Sequence, residues 1–96
     1  MKVDLISSAG LLEAAEIALL AERTGFSSLL FPESRRTPFL SVAAAGAVTE
    51  RIGLGTAVSV AFSRSPMVTA QLAWELAEAT RGRFQLGLGT QVRAHV

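Results

Sequence analysis

Residues 37–66, TPFLSVAAAGAVTERIGLGTAVSVAFSRSP, hold one complete passage from a helix start, through a strand, to the next helix start. Thr37-Pro38 pairs an N-cap hydroxyl with the residue that the first helical position tolerates best, and Ser65-Pro66 repeats the signature. Between them, Pro38 to about Thr49 is almost entirely small and apolar, a helix able to pack closely on two sides. Arg51–Val60 is rich in β-branched residues and reads as a single strand, although Gly53 and Gly55 lie within it.

The alternation continues in both directions. Upstream, Lys2–Ser7 reads as a strand and Ser8-Ala9-Gly10 as a turn. Leu11–Arg23 then has helical period, with Leu11, Ala14, Ala15, Ala18 and Ala21 on one face and Glu13, Glu16 and Arg23 on another. Thr24-Gly25 stops that helix, and Phe26–Phe31 forms a second strand ended by Pro32. Downstream, Pro66 to about Ala79 is a third helix, ended by Thr80-Arg81-Gly82, and Arg83–Leu88 is a fourth strand. Gly89–Val96 completes no further element. The order β-α-β-α-β-α-β predicts an α/β fold with a parallel sheet and right-handed crossovers. An open doubly wound sheet and the N-terminal half of a (β/α)8 TIM barrel both satisfy it.

Composition narrows the function classes. Half the residues are apolar, and nine Lys+Arg stand against eight Asp+Glu for a net charge of +1. Such a balance gives no electrostatic footprint for nucleic acid and no polybasic face for a membrane. It is also far from the composition of a disordered chain. The absence of cysteine excludes disulfides, thiolate metal sites and thiol catalysis, and fits a reducing cytoplasm. The longest apolar run, Val42–Val48, is far short of the roughly 20 residues of a membrane span.

In either architecture, chemistry belongs at the C-terminal ends of the strands. There the sequence offers Ser7 and Ser8, then Glu33 to Arg36, Ala57 to Arg64, and Gly89 to His95. Gly87-Leu88-Gly89-Thr90 lacks the third glycine of a dinucleotide fingerprint, since Val92 stands in its place. These glycines either let the backbone approach a neighbouring strand or offer bare backbone to a flat ligand. Glu33 is either a salt-bridge partner or a site carboxylate. Arg35, Arg36 and Arg64 are either solvated or phosphate ligands. His95, the single histidine, reads as exposed, Asp4 as outward-facing near the sheet bottom, and Trp74 as packing. Metal sites and nucleophilic triads find no support.

Three motifs in order then resemble one family. Thr49-Glu50-Arg51-Ile52-Gly53-Leu54-Gly55-Thr56-Ala57-Val58, Arg64-Ser65-Pro66 and Gly82-Arg83-Phe84-Gln85-Leu86-Gly87-Leu88-Gly89 are similar to the TeRIxLGTxV, RxP and GRFxLGxG patterns of the luciferase-like monooxygenase superfamily. The similarity runs from about Val3 to His95, and Gly89-Thr90-Gln91 with Ser65-Pro66-Met67 resembles the branch using the deazaflavin F420. This resemblance implies the barrel rather than the open sheet, with F420, or alternatively FMN, in its mouth. It implies a non-prolyl cis peptide at Ala57-Val58 against the ring, Glu33 as an acid near the cofactor, and Thr90 and Gln91 as contacts to the ring or its tail.

The chain departs from the family at Ser34, where several F420 enzymes carry His, and at Gln91-Val92-Arg93, where others carry Glu. No catalytic residue is therefore carried over. The implied reaction is hydride transfer between cofactor and a small organic substrate, with the protein placing the two together. The alternative is a non-catalytic half-barrel that binds flavin or assembles with itself. Residues 1–96 are expected to form one partial domain, completed by a C-terminal barrel half or by a second copy.

Overall fold

The computed structural model describes residues 2–33, 37–61 and 64–89. Its elements run β1 (Asp4–Ile6), α1 (Leu11–Thr24), β2 (Ser28–Phe31), α2 (Pro38–Val48), β3 (Gly53–Thr56), β4 (Ser59–Val60), α3 (Pro66–Ala79), β5 (Phe84–Gln85) and β6 (Leu88–Gly89). β1, β2, β3 and β5 form a parallel sheet in that order, and β4 pairs with β6 in a second parallel ladder.

The helix boundaries follow from local chemistry. Thr37 Oγ1 accepts from the Phe39 N–H at the start of α2, and Ser65 Oγ accepts from the Val68 N–H at the start of α3. α1 ends where Gly25 takes φ 94°, and the Phe26 N–H returns to the Ala21 carbonyl in a Schellman-type closure.

Leu29, Phe31, Ile52 and Leu54 turn toward the helices, where they meet Ala14, Ala18, Ala21, Phe39, Val42, Ala45 and Leu76 in one core. The alanines let α1 and α2 approach closely, and each of Ala14, Ala18 and Ala45 is fully buried. Side chains alternate along a strand, so Asp4 and Ile6 share the face opposite the helices, where Ile6 is 61% exposed. Asp4, expected to face outward, is exposed on that helix-free face. Trp74 is not packing: it is 72% exposed, and Met67, two steps before it on the same stripe, is 67% exposed.

The strand expected over Arg51–Val60 is broken. β3 stops at Thr56 and β4 resumes at Ser59, while the strand expected over Arg83–Leu88 divides into β5 and β6 opposite the break. The two breaks match because one side chain replaces the ladder there. Thr56 Oγ1 accepts from the Gly87 N–H and donates to the Gly87 carbonyl, both at 2.9 Å.

Candidate functional site

The C-terminal ends of β2, β3 and β4 and of β5 and β6 come together around this break. The ladder from β2 continues into it, with the Ala57 N–H donating to the Phe31 carbonyl at 2.9 Å and the Glu33 N–H to the Val58 carbonyl at 3.1 Å. The peptide between Ala57 and Val58 is cis. Beyond it, the Ser59 N–H donates to the Gly87 carbonyl at 2.7 Å.

The glycines serve close approach. A Cβ on Gly87 would collide with the Thr56 carbonyl, and one on Gly89 would come within 2.7 Å of Val58 Cγ2. Val58 is thus seated on bare backbone. Ser59 Oγ is fully buried and is the one buried side-chain polar atom without a hydrogen-bond partner among the described residues.

Glu33 is half-buried at the rim and fully engaged. Its Oε1 accepts from the Val60 N–H at 2.7 Å and from Arg64 Nη1 at 3.0 Å, and its Oε2 accepts from Arg64 Nη2 at 2.6 Å. Burial pushes this carboxyl up, but the Arg64 fork, the Val60 N–H and the Arg64 charge outweigh it and hold it below the ordinary glutamate value. Arg64 Nη2 also donates to Thr37 Oγ1 at 3.1 Å, and its guanidinium lies 4.9 Å from the centre of the Phe39 ring.

Of the residues expected at the site, Glu33, Ala57 and Val58 therefore converge, whereas Thr90 and Gln91 lie outside the described residues, as do Ser34, Arg35, Arg36 and His95. Sequence reasoning missed the pairing of Arg64 with Glu33. The signal available was the position of both residues, each just past the end of a neighbouring strand.

The opposite end of the sheet is built for stability. Glu22 Oε2 accepts three consecutive backbone N–H groups, from Glu50, Arg51 and Ile52, at 3.0, 2.6 and 3.0 Å. The Arg51 N–H bond leads in holding this carboxyl below its ordinary value, against a smaller desolvation cost. Arg83 closes the C-terminal end of α2. Its Nη1 donates to Thr49 Oγ1 and to the Ile52 carbonyl, both at 2.9 Å, and its Nη2 donates to the Thr49 carbonyl at 3.1 Å. The TERI and GRF motifs thus meet at the N-terminal end of the strands, the end of such folds given over to stability.

A profile of the luciferase-like monooxygenase family matches residues 2–96. The chain belongs to that family. An uncharacterised protein of Mycobacterium tuberculosis is 43% identical over 86 residues, covering 90% of this chain and 25% of its own length. Among solved structures, the monooxygenase RslO1 from Streptomyces bottropensis superposes with a TM-score of 0.83 at 24% identity, over 93% of this chain and 33% of that one. The oxygenating constituent of 3,6-diketocamphane monooxygenase from Pseudomonas putida, solved with FMN, gives 0.86 at 21% identity, over 94% and 29%. The F420-dependent tetrahydromethanopterin reductase of Methanopyrus kandleri gives 0.82 at 22% identity, over 98% and 28%.

At these identities the superpositions speak for the fold. This luciferase-like chain has the alternating strands and helices of the first part of a (β/α)8 barrel, and it spans about a third or less of those chains. Among the described residues of the luciferase-like chain, no group of His, Cys, Asp or Glu could hold a metal ion. No described helix is long and apolar enough to cross a membrane.

The strand ends present an apolar surface carried on backbone. Ala57 and Val58 are half-buried at the break, Gly89 offers bare backbone, and Leu88 is 50% exposed beside them. The one described arginine at this end, Arg64, already holds Glu33.

Proposed function

We propose that the chain is the N-terminal part of an F420- or FMN-dependent oxidoreductase that transfers a hydride between its cofactor and a small organic substrate. The observation that carries this reading is the break between β3 and β4 at the strand ends, where Ala57 and Val58 leave the pairing with β5 while still bonded to the β2 side, and Val58 rests on Gly89. A flat ring needs such a surface: apolar, carried on backbone, and at the end of a barrel where substrates enter. In this reading Ala57 and Val58 lie against the ring, Thr90 and Gln91 reach the ring or its tail, and Glu33 stands beside them.

When bound, the cofactor supplies the hydride chemistry. The chain's own residues orient the ring and shield one face of it from water. The remaining barrel strands, or a second copy, cover the concave face bearing Ile6 and Gln85. A cytoplasmic location accords with the cysteine-free sequence.

Absorbance titration with FMN and F420 tests this directly. It is made on the chain alone and on a protein in which the chain replaces the matching quarter of the Mycobacterium tuberculosis relative. Saturable binding of one cofactor by the spliced protein is expected, with weaker binding by the chain alone. Failure of both proteins to bind either cofactor contradicts the proposal.

A further inference from the structure

A single residue grips the exit of the strand break on both sides of Ser59. The Glu33 main chain donates to the Val58 carbonyl, and the Glu33 carboxylate accepts from the Val60 N–H. Val58 is the last residue of the break and Val60 belongs to β4, so Glu33 spans the point where the chain enters the second ladder. The neighbouring strand holds the same stretch from the other side, where Thr56 Oγ1 bonds both polar groups of Gly87 and the Gly87 carbonyl also accepts from the Ser59 N–H at 2.7 Å.

Arg64 fixes Glu33 in turn. Its two terminal nitrogens meet the two carboxylate oxygens at 3.0 and 2.6 Å, the fork-on-fork arrangement that gives both energy and direction. The same guanidinium donates to the N-cap hydroxyl of α2 and lies over Phe39. The Arg64 and Glu33 side chains are 15% and 14% exposed, sheltered enough for the pair to be weakly screened.

We propose that Glu33 and Arg64 are a positioning pair that holds the Ala57–Val58 break of the sheet in place from the side of the α2 and α3 loops, and that neither acts as a proton donor or a phosphate ligand. The part of this that concerns the cofactor rests on the function proposed above. An ionised carboxylate with both oxygens accepting hydrogen bonds has no proton to give, and its depressed pKa agrees with the geometry. The Arg64 guanidinium directs three N–H donors to Glu33 and Thr37.

The test follows amide hydrogen exchange by NMR in the full chain for the wild type, Glu33→Gln and Arg64→Lys, with Glu22→Gln as a control at the far end of the sheet. Both Glu33→Gln and Arg64→Lys are expected to speed exchange at the Glu33 and Val60 amides about ten-fold or more, the effect of losing one charge-assisted hydrogen bond. The Leu29 and Leu54 amides stay within about two-fold, because only a local opening is affected. Unchanged exchange at Val60 overturns the proposal, and so does uniform acceleration across the sheet like that of Glu22→Gln.

A second arm compares riboflavin with FMN, which differ by the phosphate. Equal weakening of both by Glu33→Gln marks a positioning role, whereas weakening confined to FMN in Arg64→Lys makes Arg64 a phosphate ligand and overturns the proposal. A wild type that binds neither ligand and no F420, with Val60 still responding in the exchange arm, upholds the pair and removes the cofactor reading instead.

Discussion

At the scale of single residues, three side chains carry most of the connections that sequence separation makes expensive. Arg83 is the clearest of them. It ties the end of α2 to the start of β5 through the carbonyls of Thr49, the C-cap of the helix, and of Ile52, just before β3. Arg83→Ala leaves those half-buried carbonyls unpaired and is expected to cost about 2–4 kcal/mol in urea unfolding. Arg83→Lys recovers only part of this, since an ammonium cannot fork between Thr49 and Ile52. A cost under about 0.5 kcal/mol for Arg83→Ala places the residue with ordinary surface substitutions.

Little of this was legible beforehand. Arg83 and Glu33 stand out in sequence only as charges beside strands. What they bind lies about thirty positions away, in partners set by the sheet register. Glu22 did carry a signal. An acid in the last turn of a helix opposes the helix dipole, so it needs another partner, and it finds the three N–H groups before β3.

At the scale of elements, the helices were readable and the strands were readable only in part. Thr37-Pro38, Ser65-Pro66 and Gly25 mark their boundaries by local chemistry, which needs no tertiary partner to act. The breaks within Arg51–Val60 and Arg83–Leu88 were not legible as breaks, because β-branched residues continue through the first of them. They arise from a cross-strand exchange between Thr56 and Gly87 that periodicity does not register. Resemblance to a family, not pattern, placed the departure at Ala57-Val58. The glycine reading belongs here too: Gly87 is small because Thr56 is close. Gly87→Ala should therefore lower stability by about 1–3 kcal/mol, measured by thermal or urea unfolding. The same change at a glycine needed only as bare backbone for a ligand would leave stability intact and weaken binding alone.

At the scale of the molecule, the two ends of the sheet divide the work. Glu22 and Arg83 lock the N-terminal ends of the strands, and Glu33, Arg64 and the break occupy the C-terminal ends. Alternating elements were enough to give a parallel sheet from sequence, but an open sheet and a barrel share that alternation. The exposure of Trp74 went unread because it depends on which neighbours the helix has, and not on residue type. The division of labour is the account's central claim, and amide shift mapping on the isotope-labelled chain with added FMN and then F420 tests it most directly. The account predicts shifts gathered at Ala57, Val58, Ser59, Val60 and Gly87 to Gly89, with Glu22, Arg51 and Arg83 unmoved. Shifts centred on Arg83 and the loop before β3, with the strand break silent, would contradict it.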